Sequence, residues 1–482
     1  MRLPGKAAAL LAFAVPLAVY LATGALFLAD SMPNAYVPVS LLNDGDVVFS
    51  PVEAPLLFVW KESRPEGTAL VDVQSWSQQG VAGTFADELR DGRLELLSPR
   101  YFLVPTLRKR ASTGDPLFAD AFGPAAGLAA LPTAFVAAKL GADLGDPFVV
   151  FRVAKWTAGL LTAGSVAMVF LTALRFLTRA RALLLAALYA FGTCIWTISS
   201  QALWQQTAEI FFLSVGVMCM LRGQGAWLRG GAAGLAYSAA AACRPTAALV
   251  MLIAAAFLYW QHRRAFAAFV VASLPAACAV SAYNLHYFGA PLEFGQLAAG
   301  GAVAQWKTGS PDVWQTPLWL GAAGLLLSPG RGLLVYTPFL AAAFAGAFTA
   351  WRDARFAALR FLTIAVPLLW LPAFAWFDWW GGWAYGYRPI IDTTPLLAVL
   401  CIPAIDAMRR PALKAAFAVA AAWSVFVQVL GVTAYTPGGW NGQQADGTPA
   451  NIDLPEYRDR LWSFRDWQIG YLVAQIGRPQ QR

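Results

Sequence analysis

The sequence has few charged residues for its length. Only 13% of its 482 residues are Asp, Glu, Lys or Arg, whereas 58% are hydrophobic. Soluble proteins carry about 25% charged residues, so this composition excludes an ordinary soluble globular protein. Uncharged runs of about 20 residues recur, for example Gly332–Trp351 and Ala415–Ala434, and such runs are typical of transmembrane helices. The sequence therefore predicts an all-α polytopic membrane protein.

Residues that bind metals or form disulfides are also scarce. The chain has two isolated histidines, His262 and His286. It has five cysteines, and all lie in or at the ends of apolar runs: Cys194, Cys219, Cys243, Cys278 and Cys401. No pair has metal-ligand spacing, and no cysteine lies in a water-exposed loop suited to a disulfide. We expect no metal cofactor, and we expect the cysteines to be small apolar core residues.

Sequence signals for nucleotides and nucleic acids are missing as well. No P-loop or Rossmann glycine pattern follows a predicted strand, and no repeat of solenoid type occurs. The net charge of +8 is distributed over many short loops, unlike the clustered basic patch of a nucleic-acid-binding surface. We therefore expect membrane lipid, and no nucleic acid, among the partners.

Eleven apolar runs are predicted to span the membrane. The first run follows Arg2 and Lys6 and is long for the apolar region of a signal peptide, so we interpret it as a retained anchor. The predicted spans are approximately 7–29, 150–174, 182–200, 205–221, 228–243, 245–261, 265–287, 332–351, 361–377, 388–407 and 412–433.

The basic loops predict the orientation of these spans, because Lys and Arg are enriched in cytoplasmic loops. A further apolar run, Ala121–Ala138, begins with Gly123-Pro124 and ends before Lys139. If this run lies along the membrane surface, an inside N-terminus puts five basic loops in the cytoplasm; if it spans, all five face outside. We therefore predict that 121–138 is an interfacial or re-entrant helix. The five loops are 175–181, 222–229, 263–264, 352–360 and 409–414.

This topology divides the chain into a transmembrane module, 1–433, and an outside C-terminal tail, 434–482. The module includes a large first outside loop, 30–149, with a polar stretch at 61–116. Because the inside loops are short and basic, we expect the functional site on the outer face. The unusual outer segments are 199–206, 243–245, 288–331 and 377–389.

Carboxylates cluster where the chain first leaves the membrane. Asp30 directly follows the first predicted span, and a carboxylate there requires water or a partner. It is either a general base for an acceptor hydroxyl or a helix-end residue in water. Asp44 and Asp46 flank a glycine in the sequence NDGD, which indicates a turn. Glu53 is a weaker candidate.

Arginines on the outer face are candidates for binding an anion. Arg388 and Asp392 are four residues apart, which would put them on one helix face. They form either a local ion pair or a phosphate-binding arginine oriented by a carboxylate. Arg244 and Arg331 border apolar runs on the side where basic residues are disfavoured. They either reach lipid headgroups or bind an anionic lipid-linked ligand.

An aromatic segment, 377–389, lies on the same face. Trp379, Trp380 and Trp383 could form an interfacial belt, but the intervening glycines favour close approach to a ligand. Glu209, just past Gln205, is an ionisable residue at the start of an apolar run and hence a functional candidate, although a polar helix end explains it equally. The residues that we expect to line a substrate cavity are Trp379, Trp380, Trp383, Tyr385, Tyr387, Asp392, Gln205, Glu209, His286 and Tyr336.

Seven stretches, in this order, resemble one family. They are DSMPNAYVPVSLLNDGD (30–46), FGTCIWTISSQALWQQ (191–206), ACRPTAALV (242–250), NLHYFGAPLEFG (284–295), LLSPGRGLLVYTP (327–338), WWGGWAYGYRPIIDTTP (379–395) and LWSFRDWQI (461–469). They resemble the bacterial polytopic glycosyltransferases of the GT-C superfamily. These enzymes use polyprenyl-phosphate sugars and are relatives of the protein O-mannosyltransferases and the lipid A aminoarabinose transferases.

The resemblance implies a site. The family has a catalytic Asp just after the first span, which Asp30 matches best; Asp44 and Asp46 stay open, because the spacing to Tyr36 is longer than in the aminoarabinose branch. It also implies juxtamembrane helices in the first outside loop. One branch places a Lys of a Lys-Pro pair near the donor phosphate. This chain has Phe122-Gly123-Pro124 instead, so we assign the phosphate to Arg388, Arg331 and Arg244.

The resemblance also implies an activity. We expect an inner-membrane glycosyltransferase that moves a sugar from a polyprenyl-phosphate donor to a hydroxyl of a periplasmic or cell-surface glycan, lipid or protein. Inverting transfer without a required metal is the family's pattern. The alternative is a flippase of lipid-linked sugars, which would need no external base. Transporters often contain inverted repeats, and none is evident here.

Overall fold

The computed structural model describes residues 5–24, 29–64, 67–71, 94–99, 102–221, 225–444 and 446–476. This part of the chain is mostly helical, with two small sheets. It contains five helical stretches that are long and apolar enough to cross a membrane: Pro147–Ala173, Arg263–Phe288, Ala354–Ala375, Arg388–Ala407 and Pro411–Ala434. The helical character of the predicted all-α class and the presence of apolar helices that could cross a membrane are confirmed, apart from the two small sheets, whereas the eleven spans and the GT-C-like fold stay predictions.

The helices of the first half are α1 (Gly5–Ala22), α2 (Met32–Asn43), α3 (Ala125–Leu128), α4 (Leu131–Lys139), α5 (Pro147–Ala173), α6 (Arg179–Phe191), α7 (Gln205–Leu221) and α8 (Ala226–Cys243). Those of the second half are α9 (Ala248–Gln261), α10 (Arg263–Phe288), α11 (Gly295–Thr308), α12 (Leu318–Leu327), α13 (Leu333–Tyr336), α14 (Ala342–Arg352), α15 (Arg360–Ala375), α16 (Thr394–Ala407), α17 (Pro411–Ala434) and α18 (Gln468–Gln475). Short 3₁₀ turns connect several of them.

Two predicted spans are interrupted in the structure. The run 182–200 is α-helical only to Phe191 and then continues into a π-helical turn, Ile195–Ser199. The run 332–351 is divided at Thr337, which has a non-helical conformation (φ −140°, ψ 61°). Because Pro338 follows it, the helical conformation of Thr337 is disfavoured. Residues 25–28 of the first predicted span, and Arg222 of one basic loop, lie outside the described residues.

The ambiguous run 121–138 does not form one long helix. It contains two short helices, α3 and α4, and α4 has nine residues. Nine residues rise about 14 Å, less than half of the roughly 30 Å hydrocarbon thickness. The run therefore does not span as a helix. Gly127 allows α3 to pack closely on α2, because a Cβ at Gly127 would lie 2.7 Å from the Asn34 carbonyl oxygen.

The segment 30–149, predicted as the first outside loop, contains strands that the sequence analysis did not predict. Antiparallel strands β1 (Phe58–Arg64), β2 (Gly67–Val71) and β3 (Leu94–Pro99) are ordered β2-β1-β3, and β4 (Leu103–Lys109) pairs with β5 (Pro116–Asp120). Much of the predicted polar stretch 61–116 lies outside the described residues. In the β4–β5 hairpin, β5 ends at the buried Asp120.

Helices α8 and α10 pack with their backbones in close contact. A Cβ at Gly230 would lie 2.0 Å from the Ala265 carbonyl oxygen, and one at Gly234 would lie 2.3 Å from that of Phe269. Small residues four apart allow this approach between helices in membranes. The neighbouring Gly231 has nothing within 4 Å of its Cβ position, so it provides a matched control.

We expect Gly230→Ala to lower the thermal stability of the purified protein, because the added methyl group separates α8 from α10. Overpacking of this kind costs about 1–3 kcal/mol. Gly231→Ala should leave the melting temperature unchanged or raise it slightly, since Ala favours a helix by about 1 kcal/mol. Equal melting temperatures for the two variants in detergent would contradict the close packing.

Candidate functional site

A cavity of about 720 Å³ lies where the first helix ends. Its lining comes from distant parts of the chain: the turn after α1, the start of α7, helix α11, the segment 376–389 and the C-terminal tail. Charged and amide groups line it together with aromatic side chains. The polar lining residues are Asp30, Gln205, Gln206, Arg244, Thr246, Gln296, Lys307, Asp378, Arg388, Asn451 and Asp453.

Asp30 and Arg388 form an ion pair in this cavity. Asp30 lies in a 3₁₀ turn, Ala29–Ser31, just before α2, where Pro33 favours the helix start. Its Oδ2 accepts from Arg388 Nη1. Arg388 Nη2 donates to the Gly381 carbonyl oxygen at 2.9 Å, and its guanidinium lies 4.8 Å from the centre of the Trp204 ring. The leading predicted base and the leading predicted phosphate-binding residue are therefore direct partners.

Arg244, and not Arg388, forms the ion pair with Asp392. Arg244 Nη1 donates to Asp392 Oδ2, and Glu209 Oε2 lies 4.0 Å from the same nitrogen. The predicted Arg388–Asp392 pair on one helix face does not form, because Arg388–Thr393 is a 3₁₀ turn with a non-helical Ile390. At three residues per turn, positions four apart lie about 120° apart around the axis.

Lys307 connects three outer segments. Its Nζ donates to Asp378 Oδ2 at 2.5 Å and to Asp453 Oδ1 at 2.7 Å, and so joins α11, the loop before Arg388 and the tail. Burial opposes the charged ammonium, but the two carboxylates outweigh it and raise the pKa of Lys307. Trp380 Nε1 donates to the same Asp453 oxygen at 3.1 Å. The tail thus contributes directly to the cavity.

Aromatic residues form the rest of the wall. Trp383 is 37% exposed, and its Nε1 donates to Asn451 Oδ1 at 3.0 Å. An indole ring whose N–H is hydrogen-bonded at its edge presents a flat apolar face, and such a face suits sugar rings and hydrocarbon chains. The other aromatic lining residues are Phe102, Phe122, Trp204, Phe294, Trp306, Trp314, Trp376 and Phe377.

Arg331 lies outside the cavity, although the sequence analysis assigned it to the donor phosphate. Its side chain is fully buried. It donates to the carbonyl oxygens of Trp380, Gly330 and Gly382 at 2.8–3.0 Å and to Asn441 Oδ1 at 2.8 Å. This arrangement holds the glycine-rich loop and the tail together.

Several predicted cavity residues are packed inside the protein instead. The Tyr385 hydroxyl donates to the Val427 carbonyl oxygen. The Tyr336 hydroxyl lies 2.9 Å from both the Gly330 carbonyl oxygen and Gln468 Oε1. The hydroxyl groups of Tyr387 and Thr337 share a hydrogen bond. The glycines of this segment serve its turns: Gly381 and Gly386 have φ of 71° and 53°. The predicted residues outside the cavity lining are Trp379, Trp380, Tyr385, Tyr387, Asp392, Glu209, His286 and Tyr336; Trp383 and Gln205 line it.

The alternative carboxylates lie away from the cavity lining. Asp46 Oδ1 accepts from Ser40 Oγ and the Val48 amide, and its Oδ2 accepts from Arg110. Asp44 ends α2 before Gly45, which has φ of 79°, so the predicted turn is present. Asp46 therefore holds the turn to the β4–β5 hairpin, and Asp30 is the only one of the three that lines the cavity.

A second cavity of about 550 Å³ adjoins the first and shares Phe122, Pro245, Phe294 and Gln296 with it. Asp120 in its wall is 1% exposed, and its Oδ1 accepts from the Phe122 amide at 2.9 Å. Burial, opposed by that hydrogen bond and reinforced by the charge of Asp30, raises the pKa of Asp120 to about 8.

Sequence reasoning missed Asp120, Lys307, Asp378 and Asp453. Asp378 was within reach, because it belongs to the aromatic segment 377–389 already placed on the outer face. Lys307 is the one lysine of the outer segment 288–331, which is itself a signal. Asp120 is the last residue of β5, and no hydrophobic periodicity in the sequence indicated that strand. Among the described residues, no three His, Cys, Asp or Glu side chains are grouped so that they could hold a metal ion.

Comparison with models of known protein families found no match, and comparison with curated protein sequences found none either.

We expect the stability of the protein to fall as the pH rises from about 4 to 8, partly through Asp120. Its pKa is about 8 when folded and about 3.9 when unfolded, so in this range the folded state binds the extra proton and loses stability as that proton is released. Asp120→Asn should remove this part of the pH dependence. Asp115→Asn, in the same hairpin, should follow the wild type. Parallel melting curves for all three proteins from pH 5 to 9 would contradict a buried, neutral Asp120.

Lys307→Met should destabilise the outer face strongly, because Asp378 and Asp453 would lose their shared cation. Removal of one partner of a buried ion pair costs about 3–5 kcal/mol. Lys414→Met, at an exposed position, is the control. Thermal unfolding in detergent measures both, and an unchanged melting temperature for Lys307→Met would show that the ion pairs do not hold these segments.

Proposed function

We propose that this protein is an integral membrane glycosyltransferase. It takes a sugar from a polyprenyl-phosphate donor and passes it to a hydroxyl of a periplasmic or cell-surface acceptor. The supporting observation is the 720 Å³ cavity, which is lined by the Asp30–Arg388 ion pair and by Arg244 beside apolar and aromatic walls. A phosphate needs the cations, a hydroxyl nucleophile needs the base, and a prenyl chain needs the apolar surface.

The Asp30–Arg388 pair suggests how the donor prepares the site. A donor phosphate competes with Asp30 for the guanidinium of Arg388. Once Arg388 binds the phosphate, the Asp30 carboxylate loses this partner and is free to accept a hydrogen bond from the acceptor hydroxyl. Arg388 Nε is buried without a hydrogen-bond partner among the described residues, so the guanidinium has a further donor to offer. Donor binding and activation of the base are thereby coupled.

The proposed reaction is a single displacement. The acceptor oxygen attacks the anomeric carbon and forms the new glycosidic bond, while the bond from that carbon to the phosphate oxygen breaks. The electron pair of the broken bond leaves with the polyprenyl phosphate, and the hydroxyl proton moves to Asp30. Arg388 and Arg244 stabilise the charge that develops on the leaving phosphate. Attack opposite the leaving group inverts the anomeric centre, and no step requires a metal.

The proposed setting follows from the same features. We place the protein in a bacterial inner membrane as a GT-C-like fold with eleven spans, with its cavity open to the periplasm or exterior. Five long apolar helices support the membrane setting, and the short basic loops support the orientation.

The proposal is tested by donor turnover. Purified protein is mixed with a panel of polyprenyl-phosphate sugars, and release of polyprenyl phosphate is measured with acceptor extract. Asp30→Asn should lower turnover by about 10²–10⁴-fold, as for loss of a general base, while donor binding persists. Arg388→Ala should weaken donor binding, and Arg388→Lys should restore part of it, since a lysine keeps the charge but not the planar fork.

The matched controls are Asp312→Asn and Arg465→Ala, both at exposed outer positions, which should behave as the wild type. Donor binding without release in every protein would contradict a transferase and support a flippase of lipid-linked sugars. Turnover that Asp30→Asn leaves unchanged would remove the assignment of the base.

A further inference from the structure

The second cavity has the walls of a hydrocarbon-binding site. It lies between α3, α7, α8 and α10, of which α10 is a candidate membrane span. Apolar side chains of α7, α8 and α10 line it: Phe212, Ala239, Ala242, Ala276, Ala279 and Val280. Only 22% of the 18 most apolar consecutive residues of α10 are buried. Most of this helix therefore faces the surroundings of the bundle. Within a membrane those surroundings are lipid. A ligand in the bilayer is therefore separated from the second cavity by one helix, α10.

One end of the second cavity is polar but not cationic. Asp120 Oδ2 and Tyr283 Oη are both buried, and neither has a hydrogen-bond partner among the described residues. Buried polar groups without partners are costly, so a ligand that hydrogen-bonds both would be stabilised. Since burial raises the pKa of Asp120 to about 8, its carboxyl is mainly protonated at neutral pH and can donate as well as accept.

The charges of the two cavities differ. The first contains Arg244, Lys307 and Arg388, each paired with a carboxylate, whereas the described lining of the second contains no lysine or arginine. A phosphate is thus favoured in the first cavity. The second, with a buried carboxyl group and no cation, disfavours an anionic head and fits an uncharged hydroxyl group. Because the cavities share Phe122 and Gln296, a hydroxyl at this polar end lies beside the cavity of the donor.

We propose that the second cavity binds a neutral lipid with a hydroxyl head, such as a diacylglycerol, with its head at Asp120 and Tyr283 and its chains along α8 and α10. On the proposed function, this lipid is the acceptor of the sugar, and the product is a neutral glycolipid. Asp120 and Tyr283 are then residues that select the acceptor.

Binding is measured directly with a photoreactive diacylglycerol and unlabelled 1,2-dioleoylglycerol as competitor, without any donor. We expect the label on α8 or α10, and we expect competition by dioleoylglycerol but not by dioleoylphosphatidic acid. Ala279→Phe should abolish labelling by filling the cavity. Cys278→Phe, which adds the same ring at the exposed neighbouring position, should not. Tyr283→Phe should weaken binding about three- to tenfold, the effect of one hydrogen bond.

The contradicting results are equally defined. Displacement of the label by decaprenyl phosphate at lower concentration than dioleoylglycerol would assign the cavity to the donor chain. Equal loss of labelling in Ala279→Phe and Cys278→Phe, or no saturable labelling, would also overturn the inference. Dioleoylglycerol binding without donor turnover would support this lipid site but contradict the proposed function. Turnover without dioleoylglycerol binding would contradict the lipid site alone.

Discussion

The pairing of buried charges is the constraint on which the candidate site depends. An unpaired charge in such surroundings is costly, so each buried cation has carboxylate or carbonyl partners from elsewhere in the chain. Arg388 and Asp30 are 358 residues apart in sequence, yet their contact joins the end of the first helix to the loop before α16. Lys307 joins three further segments in the same way. These contacts assemble the cavity from parts that no local sequence pattern connects.

The same pairs also explain how a site can be both stable and reactive. A carboxylate oxygen that accepts from a guanidinium stays occupied until an anion competes for that guanidinium. Lys307, with two carboxylates, and Arg331, with four protein oxygens, have no such role, because their partners belong to the scaffold. Arg388 differs from these two cations because its carboxylate partner, Asp30, is also a group that the proposed reaction needs.

The sequence was sufficient for the helical membrane class, because long apolar runs report directly on the bilayer. It also indicated Asp30, Arg388, Arg244, Gln205 and Trp383. It could not pair Arg388 with Asp30, since that contact depends on the 3₁₀ turn after Tyr387. It could not show that Arg331 lies outside the cavity or that Asp120 is buried in a cavity wall, because burial and strand pairing arise from the tertiary fold.

The most direct test of the central claim is an experimental structure of the protein with decaprenyl phosphate bound. The account predicts the phosphate in the 720 Å³ cavity, hydrogen-bonded to Arg388 and close to Arg244, with the Asp30 carboxylate released from Arg388. A phosphate bound elsewhere, with the Asp30–Arg388 pair intact, would contradict the claim that this pair is the centre of a sugar-transfer site.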